Sequence, residues 1–141
     1  MSRSQDTEAL LAEWNECGYY RLIGMEVTRA DAAGSEFRIE VGEQHLQAYG
    51  TAHGGILGGL LDAAMGLAIL GRIPRGEGCA TVEMKVNFTA PAPEGPLAAR
   101  GWVISEGRRL IVAGAEAVSA AEVMVACGQG TFARIPAQVD Q

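Results

Sequence analysis

Between His53 and Arg72 the chain reads HGGILGGLLDAAMGLAILG, and Asp62 is the only charged side chain in that run. After the His, every other residue is Gly, Ala, Leu, Ile or Met. A segment this apolar has to be covered, by lipid or by protein. Its eighteen residues from 54 to 71 are long enough to enter as a membrane-span candidate. Yet the stretch is Gly-rich, carries Asp at its middle and lies among strand-like segments rather than further spans. The reading that fits is a helix inside a small protein, apolar on all sides because it is covered on all sides. Burying an unpaired carboxylate is costly, or else the group takes up a proton. No chain keeps that arrangement for stability, so Asp62 reads as chemistry.

Length and composition fit a single soluble domain over 1–141: the chain is 48% hydrophobic and 20% charged. A formal net charge of -6 repels phosphate backbones and argues against nucleic acid as a partner. The three cysteines, Cys17, Cys79 and Cys127, form no CxxC and are odd in number. They point to free thiols in a reducing compartment. The opening MSRSQDTEAL has no apolar stretch of the kind a secretion signal needs. A cytoplasmic protein without a membrane anchor is expected.

Periodicity places the elements. Residues 6–17 read as a helix within an N-terminal helical extension over 1–20, capped by Asp6 or Thr7 and ended by Gly18. Strands are expected over 25–30 and 35–41. In the second, Phe37, Ile39 and Val41 alternate with Glu36, Arg38 and Glu40. Residues 42–52 form a loop, and the apolar helix follows. A strand over 79–90 sets Val82, Met84, Val86 and Phe88 opposite Thr81, Glu83, Lys85 and Asn87. PAPEGP turns the chain, and strands follow over 97–106, 109–118 and 122–134. Neighbours so closely joined pair antiparallel.

The order is α+β: helix, two strands, one long apolar helix, four strands. A sheet with one buried face needs a cover, and only the Asp62 helix is apolar enough to supply it. The sheet should curl around that helix. One such chain leaves a sheet edge and part of the helix uncovered, which predicts pairing with a second copy.

Several chemistries drop out. There is no GxSxG nucleophile elbow and no phosphate loop ending in Lys-Ser/Thr. His45 and His53 are the only histidines and have no Cys or His cluster around them, so no metal site is expected. Cys79 and Cys127 read as small core residues. The stretch from Gln47 to Asp62 remains. Gly54 and Gly55 open the helix, where backbone N–H groups are free and the dipole is positive. Glycine lets a ligand approach that backbone, so Gly54 reads as a donor to a carbonyl oxygen or oxyanion. Gly58, Gly59 and Gly66 read as packing residues. Gly54 and Asp62 are eight residues apart, about 12 Å along a helix axis. They can act on one carbonyl only if they come from two subunits.

The residues Gln47, His53-Gly54-Gly55 and Asp62, with LIGMEV at 22–27, VEMKVNFTAPA at 82–92 and GQGTF at 128–132, resemble the hotdog-fold acyl-CoA thioesterases. The likeness is strongest to the phenylacetate-degradation (PaaI-like) type, and it covers most of the chain. It implies a hotdog fold, a curved antiparallel sheet of about six strands wrapped around one long central helix. It implies hydrolysis of acyl-CoA or aryl-CoA thioesters by a homodimer, or a dimer of dimers forming a homotetramer. By the same resemblance Asp62 is the carboxylate that attacks the thioester or activates water, and Gly54 polarises its carbonyl. Gln47 holds the carbonyl or the leaving sulfur, and His53 is the partner at the helix start. Thr81 helps position water or the carboxylate. No cofactor is implied, coenzyme A entering only as part of substrate and product.

Such a reaction suits these parts. A thioester carbonyl is electrophilic and a thiolate leaves readily, so one carboxylate and one oxyanion donor suffice. The coenzyme A phosphates would need cations, for which Arg72, Arg75, Lys85, Arg108 and Arg109 are candidates. Two other readings compete. A hydratase or dehydratase of enoyl or hydroxyacyl thioesters on this fold pairs a catalytic His with an acid, and no second His accompanies this one. A non-catalytic acyl-CoA-binding module would tolerate loss of Asp62.

Overall fold

A computed structural model describes residues 3–138. The N-terminal segment forms two helices, α1 over Arg3–Asn15 and α2 over Gly18–Ile23. Strands β1, Met25–Asp31, and β2, Gly34–Val41, follow. A 3-10 turn at Glu43–His45 and a loop lead into α3, Gly54–Leu70. The chain closes with β3, Gly78–Phe88, β4, Gly95–Glu106, β5, Leu110–Ser119, and β6, Met124–Ile135. The six strands form one antiparallel sheet in the order β1-β2-β4-β5-β6-β3. With α3 against one face, this is the hotdog arrangement expected from the sequence.

Alternation drives the sheet as expected: in β2, Phe37, Ile39 and Val41 are buried while Arg38 and Glu40 are exposed. The inner faces of β2, β4, β5 and β6 supply Phe37, Leu97, Ile111 and Phe132 to a core completed by Leu60, Leu61, Met65 and Ile69 of α3. The helix comes close to the sheet at one point. Gly101 of β4 has no Cβ because one would collide with the carbonyl oxygen of Ala64. The buried Ser35 hydroxyl donates to that same carbonyl oxygen at 2.5 Å. Small residues on both sides of the contact therefore set the height of α3 above the sheet.

Three expectations need correction. The first helix starts at Arg3, upstream of Asp6 and Thr7, so neither residue sits at its cap. Residues 19–23 are helical too: α2 is a separate turn closed by Gly24 in the left-handed region at φ 80°. As expected of a single chain, part of the apolar helix is left uncovered. Gly55, Gly59, Asp62 and Gly66, spaced at helical intervals, form a stripe that the sheet leaves incompletely buried. Cys79 and Cys127 are half-buried rather than fully buried, and only Cys79 packs against the core.

The strand after α3 departs from simple alternation in a way that matters for the site. The register of β3 on β6 shifts between Thr81 and Glu83, where Val82 bulges out. The extra residue moves Thr81 off the outward row of Glu83, Lys85 and Asn87. It pairs instead with Phe132, whose side chain is in the core, and faces α3. β3 is also an outer strand of the sheet, with β6 as its one strand neighbour. Val82, Met84 and Phe88 on it are 59%, 36% and 58% exposed in the single chain. No helix among the described residues is long and apolar enough to cross a membrane.

Candidate active site

The residues singled out from sequence fall into two groups at two places on α3. The first lies at its N-terminus. His53 is the N-cap, and its Nδ1 accepts a 2.8 Å hydrogen bond from the Gly55 N–H. Nδ1 therefore carries no proton. Capping is thus a definite structural task of His53. The Gly54 N–H finds no acceptor among the described residues, as the first turn of a helix leaves it. A Cβ on Gly54 would lie 3.1 Å from the Phe88 ring, so that ring closes over the helix start.

Gln47 comes to the same place. Its Nε2 donates to the Thr51 hydroxyl at 2.7 Å, and its Oε1 accepts from the Tyr49 N–H at 2.8 Å. The amide thus folds its own loop, which the Gln47 N–H closes on the Thr51 carbonyl at 2.9 Å. One amide proton of Gln47 remains for a ligand. Gln47, His53, Gly54, Leu57 and Phe88 line a cavity of about 610 Å³. The sequence reading passed over Phe88 and Thr51. The one signal for Phe88 was its place as the last apolar residue of the β3 alternation.

The second group lies at mid-helix. Thr81 Oγ1 donates to Asp62 Oδ1 at 2.7 Å, a bond that exists because the bulge turns Thr81 inward. Asp62 is half-buried, and Thr81 is exposed in the single chain. Two neighbours register the carboxylate's charge. Burial pushes the Cys79 thiol up to about 11, and the charge of Asp62 adds to the rise. Its sulfur rests 3.8 Å from the Gly66 carbonyl oxygen. The Tyr20 phenol is raised as well, first by burial and then by the charges of Cys17 and Asp62. Both groups hold their protons more tightly than they would in water.

The fold brings Gln47, His53 and Gly54 together, and Asp62 with Thr81, but keeps the two groups apart. Eight helical residues separate Gly54 from Asp62, about 12 Å along the axis. Of the candidate cations, Arg72 is engaged: its Nε donates to Glu106 at 2.7 Å, and Glu106 also takes a bond from Arg134.

The sequence pattern of the thioesterase superfamily matches residues 49–126. An esterase-named protein of Saccharolobus solfataricus is 30% identical over 80% of this chain and 75% of its own length. A conserved protein of Pseudomonas aeruginosa has a solved structure that superposes with a TM-score of 0.83. It shares 30% identity and covers 87% of this chain and 98% of its own. A variant of the phenylacetic acid degradation protein PaaI of Thermus thermophilus superposes with a TM-score of 0.74 at 28% identity. There the cover is 82% of this chain and 96% of the other.

Proposed function

This chain belongs to the thioesterase superfamily and has the hotdog fold of its PaaI-like members, and from that premise we propose that it hydrolyses acyl-CoA or aryl-CoA thioesters with Asp62 as the reacting carboxylate. The observation that carries the reading is Asp62 itself. It is the lone charge of an apolar helix, set on the stripe the sheet leaves uncovered and oriented by Thr81. With Oδ1 held by the Thr81 hydroxyl, Oδ2 is left to work. It attacks the thioester carbonyl carbon, expelling the thiolate and forming an anhydride that water then cleaves to free acid and Asp62, or it takes the proton of a water that attacks instead and passes that proton to the leaving thiolate; both routes use the same parts. The oxyanion that forms needs donors, and the Gly54 N–H at the positive end of α3 is one. The remaining amide proton of Gln47 serves as a second, or holds the leaving sulfur. His53, by capping the first turn, keeps the Gly54 N–H aimed at the cavity. Coenzyme A leaves as the thiolate and takes a proton.

A complete site needs two chains in this reading. Midway between Gly54 and Asp62 lies Gly58, and a Cβ there would touch Met84 of β3 at 3.7 Å. A two-fold axis passing near this contact would run two α3 helices antiparallel. It would set Gly54 of the partner subunit beside Asp62, and join the two β3 edges into one continuous sheet. The unpaired edge of β3 and its exposed Val82, Met84 and Phe88 support such a dimer. Trp102, Ile104 and Leu110, exposed elsewhere on the sheet, offer apolar area for a dimer of dimers. The setting is cytoplasmic in this reading, where acyl-CoA is made and used.

Thiol release from a panel of phenylacetyl-, hydroxybenzoyl-, short-, medium- and long-chain acyl-CoAs tests the proposal. Turnover is expected on at least one, and Asp62→Asn should lower it by about 10²–10⁴-fold while the fold and acyl-CoA affinity persist. Wild-type turnover in Asp62→Asn would reject the site.

A further inference from the structure

Gly59 lies on the uncovered stripe, three residues before Asp62, so the two share one face of α3. The side chain of Asp62 leans toward the helix N-terminus, which is to say toward Gly59. The space where a Cβ of Gly59 would stand is filled by the Tyr19 hydroxyl, with Cζ of the ring 3.3 Å from the same point. Tyr19 comes from α2, an element of six residues. What anchors α2 is Tyr20, the one buried residue of the helix. Its ring packs 5.9 Å from Trp14 and edge-on to Phe37 at 5.5 Å. The end of α2 is held as well: the buried His45 reaches the Ile23 carbonyl oxygen through Nε2 at 2.6 Å. Tyr19 is therefore placed firmly, although the residue is 47% exposed.

Packing does not account for this placement. A glycine inside a helix costs about 1 kcal/mol relative to alanine, and here it accommodates a ring that stays half in solvent. What the pair does achieve is a wall beside Asp62, on the side facing the start of its own helix. We propose that Tyr19 is a specificity-determining residue that limits how far the acyl group can extend past Asp62, favouring short or compact acyl groups over long chains. The inference rests on the thioesterase reading of Asp62. Seated in the Gly59 notch, the ring takes up the space beside α3 that a long acyl chain extending past Asp62 toward Gly59 would need. The block is steric, so it belongs to the ring rather than to its hydroxyl.

The test compares wild type, Tyr19→Ala and Tyr19→Phe on butyryl-CoA and lauroyl-CoA. Alongside, S-butyl-CoA and S-dodecyl-CoA, thioethers that cannot be hydrolysed, are titrated by calorimetry. Tyr19→Ala should raise the lauroyl-to-butyryl ratio of kcat/KM by about tenfold or more, the scale on which pockets discriminate chain length. The thioether affinities should move in the same direction, and Tyr19→Phe should keep the wild-type ratio. A Tyr19→Ala ratio within twofold of wild type would overturn the proposal, as would equal losses on both substrates. If the wild type released no thiol from any acyl-CoA, the thioesterase reading would fall. The thioether titration would then judge the wall alone, an unchanged chain-length preference in Tyr19→Ala counting against it.

Discussion

The Thr81 hydroxyl and the Asp62 carboxylate, 2.7 Å apart, tie an outer strand of the sheet to the middle of its central helix. A hydrogen bond to a charged acceptor is worth about 1.5–3 kcal/mol, the lower end applying where water competes. Thr81→Val should therefore cut kcat/KM by about tenfold, and Thr81→Ser should recover most of that loss. Steady-state kinetics on the best substrate of the acyl-CoA panel reads both. Equal rates for Thr81→Val and wild type would reduce Thr81 to an ordinary strand residue.

The β3 edge makes a second prediction. Met84 lies against Gly58, the midpoint between the two halves of the site. Met84→Asp puts a charge where two edges would join. Sedimentation should show a wild-type dimer and a Met84→Asp monomer at micromolar concentration. Turnover should fall with the dimer, because neither half-site can complete itself. An active monomer would show that Gly54 and Asp62 need not come from two chains.

The contact of α3 with the sheet predicts a stability effect. Gly101→Ala drives a methyl group into the Ala64 carbonyl, and overpacking of that kind costs about 1–3 kcal/mol. Ser35→Ala removes the hydrogen bond to the same oxygen and should cost about 1 kcal/mol. Urea titration measures both. The double variant should lose less than the two losses combined, since both changes act on one carbonyl.

Cys79 predicts a loss of stability in alkali. The folded chain holds this thiol's proton to about 11, whereas an exposed cysteine releases it near 9.0. Between those values the folded state binds the extra proton, so stability is full below about pH 9 and falls as pH rises toward 11. Urea midpoints taken from pH 8 to 10 should show the decline, and Cys79→Ala should lessen it, the raised Tyr20 phenol adding a loss of the same sign above pH 10. At pH 8 Cys79 should also be slow to react with a thiol reagent.

The main outline was readable because it rests on local pattern. The run around Asp62 admits little but a covered helix, and the alternation in β2 admits little but a strand facing a core. The gathering of Gln47, His53 and Gly54 follows from their nearness in sequence. What stayed hidden depends on distant contacts. Strict alternation set Thr81 in the row of Glu83 and Lys85, and only the bulge at Val82, fixed by pairing with β6, turns it toward Asp62. α2 has no amphipathic stripe to betray it. Its one buried residue, Tyr20, finds Trp14 and Phe37 across the fold, and the value of Gly59 shows only with Tyr19 above it.

The strand order has a consequence for the sequence of events as the chain is made. β3 leaves α3 almost at once, yet its strand neighbour is β6, the last of the six strands in chain order. A nascent chain that has delivered residues through 123 already holds Gln47, His53, Gly54, Asp62 and Thr81, but it lacks the template that bulges β3 and points Thr81 inward. Until β6 arrives, β3 is a free ribbon with an exposed apolar row, able to seek the wrong partner. Assembly of the Asp62–Thr81 pair therefore waits on the one strand pairing that β3 makes, and becomes possible only after β4 and β5 have been laid down and β6 has followed them.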